Sequence, residues 1–107
     1  MTLLTDRERS MIWRELSLGD GRTAVLLNYP DKDTERSSDE VNRNLVCLDA
    51  DGNLVWRVKP PKPAQPSRDP FVHLDFDGII LKATRFFGDI CEVNQTNGLA
   101  TAIGWTK

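Results

Sequence analysis

The chain's single histidine lies in a row of acidic residues. His73, Asp75 and Asp77 occur at i, i+2 and i+4, a spacing that places all three on one face of a β-strand. An imidazole and two carboxylates on one face can hold a metal ion. Asp77 also precedes Gly78, as in a turn, and the sequence has no second histidine for the usual zinc ligand set. We therefore expect an exposed strand face here, with metal binding as the alternative.

A second group of oxygen-bearing side chains lies between Asp49 and Asn53. Their alternation is like the start of a calcium-binding loop, in which glycine is sixth and glutamate twelfth. Here Gly52 is fourth, and the twelfth position is Pro60. A hairpin turn is the better interpretation, because Gly, Asp and Asn all tolerate turn conformations.

Cys47 and Cys91 are the chain's two thiols, and each lies within an apolar strand pattern. A nucleophilic cysteine needs a nearby base, and His73 is the only imidazole. Thiols buried among aliphatic side chains are inert, so we expect two reduced packing residues and no disulfide. The sequence therefore predicts no catalytic, cofactor-binding or metal-binding residue, and a protein that is not an enzyme.

Composition and charge narrow the classes of partner. The 107 residues carry a net charge of −2, which argues against nucleic acid because phosphate binding needs clustered Lys and Arg. No apolar run approaches the roughly 18 residues of a membrane span. Only Leu3 and Leu4 precede a charged run, so we expect no signal peptide and a cytoplasmic location.

Alternation of apolar and polar residues predicts one all-β domain over residues 1–107. Leu54, Trp56 and Val58 alternate with Val55 and Arg57, which is typical of a strand with one buried face. Residues 24–27 and 45–48 are apolar on both faces, as in strands that are covered on two sides. Turns that contain glycine separate the predicted strands, which are residues 12–18, 23–29, 45–48, 54–58, 71–76, 79–85, 90–93 and 99–105.

These strands predict a seven- to eight-stranded antiparallel meander that closes as a sandwich or an open barrel. At most one short helix is expected, at the N-terminus. Thr5 and Glu8 have the spacing of a capping box, so this helix begins at Asp6. The alternative is that residues 6–16 continue as strand. The three tryptophans, Trp13, Trp56 and Trp105, are interpreted as packing anchors.

Two polar connections interrupt the pattern. Residues 31–43 are expected to form a solvated loop, with a recognition loop that orders on a partner as the alternative. Residues 59–70 contain five of the six prolines and favour an extended, stiff connector. Pro-x-x-Pro spacing occurs at Pro60/Pro63 and Pro63/Pro66, so a ligand motif for an aromatic groove is the alternative there.

The segment after Leu48 resembles a known repeat. Leu48, Asp49, Gly52 and Trp56 approximate the Leu-Asp-x-x-x-Gly-x-x-x-Trp turn of blade repeats in quinoprotein-like β-propellers. The turn at residues 93–98 is similar to a second copy. The two cysteines lie 91 − 47 = 44 residues apart, a period that matches a four-stranded blade.

The chain also resembles a set of small uncharacterised bacterial proteins. They share a hairpin of the form Asn-x-x-Cys-x-Asp-x-x-Gly-x-x-x-Trp, matched here from Asn44 to Trp56, then a proline-containing connection and two aromatic-rich strands. Their later Asp-x-x-Thr-Gly turn is here Asn94–Gly98, with one inserted residue and Asn for Asp. The resemblance covers about 60 residues and implies a fold without an assigned activity and without catalytic residues.

The expected function follows from this lack of chemistry. Two repeats cannot close a propeller, which needs four or more blades, and a homodimer is one way to cover the apolar strands. We expect a non-enzymatic protein-binding domain, such as an immunity or regulatory partner, that acts through a sheet edge, an exposed face or residues 31–43. The alternative is a small-molecule or metal-binding protein that uses His73, Asp75 and Asp77.

Overall fold

The structure is a computed structural model that describes residues 4–29, 38–61 and 69–105. It contains two four-stranded antiparallel sheets, with strand orders β1-β2-β3-β4 and β5-β6-β7-β8. Strands that are neighbours in sequence are therefore neighbours in space, which confirms the predicted all-β antiparallel meander with eight strands. The strands are β1 (Ile12–Ser17), β2 (Thr23–Leu27), β3 (Leu45–Leu48), β4 (Leu54–Arg57), β5 (Phe71–Phe76), β6 (Leu81–Arg85), β7 (Asp89–Val93) and β8 (Ala100–Trp105), with helices α1 (Asp6–Ser10) and α2 (Ser38–Asn42).

The two central strands of the first sheet, β2 and β3, are buried on both faces. Leu26, Cys47 and Trp56 lie in the core cluster that the first sheet shares with the second sheet. Val25 and Val46 lie in a second cluster on its other face. That cluster is completed by residues outside the strands, namely Leu4, Tyr29 and Val41. The prediction of cover on two sides is therefore confirmed, but the cover comes from this chain, so the sheet needs no second copy for it.

The second sheet has one buried face and one exposed face. Leu81, Ala83 and Cys91 point into the shared core, while His73 and Asp75 are exposed on the intervening positions of β5. This alternation follows from the period of two in a strand. The two sheets thus pack as a sandwich over a largely aliphatic core.

The N-terminal helix α1 begins where the capping box predicts. The Thr5 hydroxyl accepts a hydrogen bond from the Glu8 amide at 3.1 Å, and the Glu8 carboxylate accepts one from the Thr5 amide at 3.1 Å. The helix ends at Ser10 and β1 follows from Ile12. The prediction of a short helix followed by a strand is confirmed, and the alternative of continuous strand is wrong.

Helix α2 lies where the sequence predicts only loop. Residues 38–42 form this second short helix, which corrects both the expected loop over 31–43 and the limit of one helix. Its single aliphatic residue, Val41, is buried in the second cluster. A helix of five residues is too short to show a periodic pattern, so one apolar anchor in a polar segment was the only available signal. Residues 31–37 lie outside the described part of the chain.

Each of the four edge strands contains a β-bulge. The registers skip one residue in each case, namely Trp13 in β1, Val55 in β4, Val72 in β5 and Ile103 in β8. Bulges at sheet edges break the regular ladder and redirect side chains. Strict alternation was therefore wrong in two places. Leu54 packs in the second cluster, away from Trp56, and Phe71 packs in the shared core with Leu74.

The turn between β7 and β8 connects the two sheets. The Trp56 indole nitrogen donates to the Gln95 carbonyl at 2.9 Å, and Arg22 donates to the same oxygen. The Lys59 amide donates to the Gly98 carbonyl at 2.9 Å. Gly98 has φ +77°, and a Cβ there would lie 2.6 Å from Trp56 Cε3. Only glycine gives both this conformation and this close approach.

The two similar segments that follow Cys47 and Cys91 occupy equivalent places in the two sheets. Cys47 lies on the third strand of the first sheet and Cys91 on the third strand of the second. The turns that follow contain Gly52 and Gly98, both with positive φ. The relation to propeller blades stays a prediction. In the proline-rich connection, Pro63 and Pro66 lie outside the described residues.

Candidate functional site

A cleft of about 290 Å³ opens beside the first strands of the two sheets. Its walls come from β1, the end of β2, the start of β5 and the turn after β6. None of the side chains that line it is charged. They are Trp13, Leu27, Asn28, Tyr29, Val41, Asn44, Pro70, Phe71, Val72 and Phe86.

Two bulges build this cleft. Trp13 is the residue that β1 leaves without a partner in β2, and Val72 is the residue that β5 leaves without a partner in β6. Both line the cleft, although they belong to different sheets. A bulge redirects a side chain at the cost of ladder pairing, so the same device in two facing edge strands gives one shared apolar opening.

Asn44 fixes the floor of the cleft. Its side-chain nitrogen donates to the Leu27 carbonyl at 2.9 Å and to the Phe71 carbonyl at 2.8 Å. Its side-chain oxygen accepts from the Phe71 amide at 2.8 Å. One buried amide thus holds β2 and β5 together. These bonds use both amide hydrogens and one acceptor position of the oxygen, so the Asn44 side chain supports the site from within the protein.

A buried ion pair fixes the opposite wall. Arg85, 1% exposed, donates from Nε to the Asp69 carbonyl at 2.9 Å and lies 3.1 Å from the Asp69 carboxylate. The other carboxylate oxygen accepts from the Phe87 amide at 2.9 Å, and the Phe86 amide donates to the Pro70 carbonyl at 2.8 Å. These contacts hold the turn that carries both phenylalanines. Among the described residues, Arg85 Nη2 has no hydrogen-bond acceptor.

Four exposed aromatic residues, which we call the aromatic surface, extend from the cleft: Trp13, Phe86, Phe87 and Trp105. Trp13 and Phe86 both line the cleft. The Phe86 and Phe87 rings meet edge to face with centroids 5.2 Å apart, and the Trp105 indole donates to the Phe87 carbonyl at 3.2 Å. The interpretation of all three tryptophans as packing anchors is therefore correct for Trp56 alone, which is 6% exposed.

The three residues considered for metal binding do not form a site. His73 and Asp75 are exposed on the outer face of β5. Asp77 caps its own turn, where its carboxylate accepts from the Ile79 amide at 2.8 Å and the Ile80 amide at 2.7 Å. These bonds, from Ile80 first and then Ile79, lower the pKa of Asp77. Within the described residues there is no group of three side chains suited to hold a metal ion.

The calcium-like segment is a hairpin turn. One Asp49 carboxylate oxygen accepts from the Asp51 amide and the Asn53 amide, both at 2.9 Å. Hydrogen bonding, first from Asn53, lowers the pKa of Asp49. The other Asp49 oxygen accepts from the Asn53 side-chain amide at 3.3 Å, so the Asp49 carboxylate serves the hairpin turn that the sequence indicated.

The two thiols are packing residues. Cys47 and Cys91 are unpaired and 0% exposed, and both belong to the core between the sheets. Burial raises the pKa of each thiol, so the reactive thiolate form is disfavoured. His73 is exposed on the other side of the second sheet, which separates the only imidazole from either sulfur.

A charged group lies on the first sheet near α1. Arg57 donates to the Glu8 carboxylate at 2.7 Å, and Arg43 donates to the Val58 carbonyl at 3.2 Å. Burial raises the pKa of Glu8, but hydrogen bonds from Thr5 and the contact with Arg57 outweigh this, so the pKa is lowered overall. The Glu8–Arg57 pair joins α1 to β4, which indicates a structural role.

The sequence did not reveal the residues that build the cleft. Trp13, Val72 and Phe86 lie far apart in the chain, and the bulges that turn the first two inward have no recognised local signal. One indication of an exposed aromatic residue was the sequence Phe86-Phe87-Gly88. The side chains of two adjacent phenylalanines in a turn point in different directions, so they cannot both enter the core. Arg85, a cation at an inward strand position, was a second sign.

Comparison with known proteins gives a family. No curated protein and no solved structure matches the chain. In the described residues, no helix is long and apolar enough to cross a membrane. The model of a family described as "Domain of unknown function (DUF7957)" matches residues 13–105, which include the whole of β2 to β8 and both the cleft and the aromatic surface. The chain therefore belongs to the DUF7957 family.

Proposed function

We propose that this protein is a non-enzymatic binding domain that docks another protein at the cleft and the aromatic surface. The observation that carries the proposal is the pair of bulges that direct Trp13 and Val72 from different sheets into one cleft. Ladder pairing is lost in both strands. Bulges occur in all four edge strands, where they also prevent edge pairing, but at these two positions the residue without a ladder partner lines the cleft.

The exposed aromatic area supports a protein partner. Trp13 is 42% exposed, Phe86 65%, Phe87 60% and Trp105 60%. Contiguous apolar surface of this kind marks interaction sites in soluble proteins. Tryptophan and other large aromatic residues are also enriched among interface residues that dominate binding energy.

The cleft is supported rigidly, which favours binding. Asn44 spans β2 and β5 with three hydrogen bonds, and the buried Asp69–Arg85 pair holds the turn of Phe86 and Phe87. A preorganised surface loses less conformational entropy when a partner binds. The buried, unpaired Cys47 and Cys91 fit a reducing compartment such as the cytoplasm, where we propose that the partner is also found.

A capture experiment tests this function. Immobilised protein would be incubated with lysate of the native host, beside a Trp13→Ala/Phe86→Ala variant and an Ile79→Ala control. Ile79 is 79% exposed and lies outside the cleft, so the control removes apolar surface elsewhere. If each aromatic contributes about 2 kcal/mol to binding, loss of both lowers the affinity for the partner roughly a thousandfold.

Comparison of the partner captured by the wild type, the Ile79→Ala control and the double variant locates the interface. The proposal expects a specific partner that the Ile79→Ala protein retains and the double variant loses. A partner that binds all three proteins equally would place the interface elsewhere. Circular dichroism of the variants would show whether the sheets are intact.

A second candidate function is binding of a small apolar molecule. The cleft volume of about 290 Å³ lies at the lower limit of small-molecule sites, which begin at about 300 Å³. A fragment screen by melting temperature would test it. Fragments that stabilise the wild type but not the Trp13→Ala variant would favour this function, and a screen without such fragments would exclude it.

A further inference from the structure

We infer that the segment docked in the cleft is an extended, proline-rich peptide with an acidic residue beside the prolines. The inference rests on the proposed function and specifies its partner. It follows from the polar groups of the cleft, its aromatic walls, its interrupted strands and the charge at its rim.

The cleft offers hydrogen-bond donors that lack acceptors. The Trp13 indole N–H and the Asn28 side-chain amide belong to exposed residues and bond to no other described residue, whereas both amide hydrogens of Asn44 are used within the protein. A polyproline II helix has no internal hydrogen bonds, so its carbonyl oxygens are free to accept. Proline contributes no N–H that would itself need an acceptor.

The walls match the apolar side of such a ligand. Trp13 and Phe86 line the cleft and are 42% and 65% exposed, whereas Tyr29 and Phe71, which also line it, are buried at 8% and 0%. Proline-rich segments dock into grooves lined by aromatic side chains, and their preformed backbone reduces the entropy lost on binding. Pro70 is itself part of the cleft wall and adds to its apolar surface.

Strand addition fits this place poorly. β1 and β5 are both edge strands, and a partner strand would need a regular row of unpaired amides and carbonyls on one of them. The bulges at Trp13 and Val72 interrupt that row at the cleft itself. Bulges are one of the ways in which proteins prevent edge pairing.

The rim of the cleft carries a positive charge. The Arg14 guanidinium lies 4.7 Å from the centre of the Trp13 ring. Across the described ranges, no carboxylate forms a salt bridge with it. A carboxylate on the ligand beside the docked prolines would supply the missing partner, with an attraction that salt screens.

Short synthetic peptides test the inference directly. The probe is an array of fluorescent peptides with a fixed Pro-x-x-Pro core and a flanking glutamate. One control set replaces the prolines by alanine, and another replaces the glutamate by lysine. We expect the acidic proline peptides to bind the wild type at least about tenfold more tightly than the alanine set, and more tightly than the lysine set at low salt.

Variants assign the effect to the cleft. Trp13→Ala should abolish binding, Arg14→Ala should remove the preference for glutamate over lysine, and Ile79→Ala should change neither. Absence of binding to the acidic proline peptides, or equal binding of the alanine set, would overturn the inference. If that occurs while a captured protein still depends on Trp13 and Phe86, the proposed function stands and only the proline-rich ligand is excluded.

Discussion

Replacing Gly98 by alanine tests how the two sheets are joined. Gly98 adopts φ +77°, and an added Cβ would lie 2.6 Å from Trp56 Cε3, 2.9 Å from Trp56 Cδ2 and 3.1 Å from the Arg57 carbonyl oxygen. Two costs therefore add. The left-handed conformation costs a non-glycine residue about 1–2 kcal/mol, and overpacking of a filled site costs about 1–3 kcal/mol.

Gly52 provides a matched control. It has φ +84° in the corresponding turn of the first sheet, and an added Cβ would meet nothing within 4 Å. Gly52→Ala should therefore lower the free energy of unfolding by the conformational cost alone, about 1–2 kcal/mol. Gly98→Ala should lower it by about 2–5 kcal/mol, because the clash with Trp56 is added.

Urea unfolding followed by circular dichroism measures both changes. The slope of the free energy against urea is about 1–3 kcal/mol per molar for a small domain, so the Gly98→Ala midpoint should lie about 1 M below that of Gly52→Ala. Equal midpoints for the two variants would refute the close approach of Gly98 to Trp56. An unchanged slope would show that both variants unfold from the same compact state.

Three further perturbations follow from the contacts. Asn44→Ala removes three hydrogen bonds to the buried backbone groups of Leu27 and Phe71. Urea unfolding should therefore show the free energy of unfolding lowered by about 2–5 kcal/mol. A decrease below about 1 kcal/mol would contradict the role of Asn44 in holding β2 to β5. A thiol reagent should modify neither Cys47 nor Cys91 in the folded protein at about pH 8, and both in denaturant; rapid reaction of the folded protein would show that a sulfur is accessible. Because the Glu8 pKa is lowered in the folded state, its contribution is present above the ordinary carboxyl pKa and disappears as the pH falls through the lowered one. Glu8→Gln should therefore be less stable than the wild type at neutral pH, and the difference should disappear as the pH falls through the lowered pKa; a difference that does not change with pH would contradict this.

The fold was accessible from the sequence because its signals are local. Alternation and glycine-containing turns locate strands within a few residues, and the capping box of Thr5 and Glu8 locates α1 from side chains three residues apart. The apolar strands around Val25 and Val46 require cover on both faces whatever the partner layer is. These features depend on neighbours in the chain, so they can be read without the tertiary structure.

The candidate site was not accessible, because it depends on distant residues. The bulges at Trp13 and Val72 become visible only when each strand is paired with its neighbour. A prediction from strict alternation accordingly assigned Leu54 and Phe71 to the wrong faces of their strands. The exposure of Trp13 and Trp105 likewise follows from their places on edge strands, whereas residue type alone indicated burial.

The indole N–H signals of the three tryptophans give the most direct test of the aromatic surface as the binding surface. Isotope-labelled protein would be titrated with the partner recovered by capture, or with the best proline-rich peptide, and followed by nuclear magnetic resonance. Trp13 and Trp105 are exposed beside the cleft, while Trp56 is buried and bonded to Gln95. The account predicts that the signals of Trp13 and Trp105 shift and that of Trp56 stays in place. Saturating binding that leaves the Trp13 and Trp105 signals unmoved would contradict it.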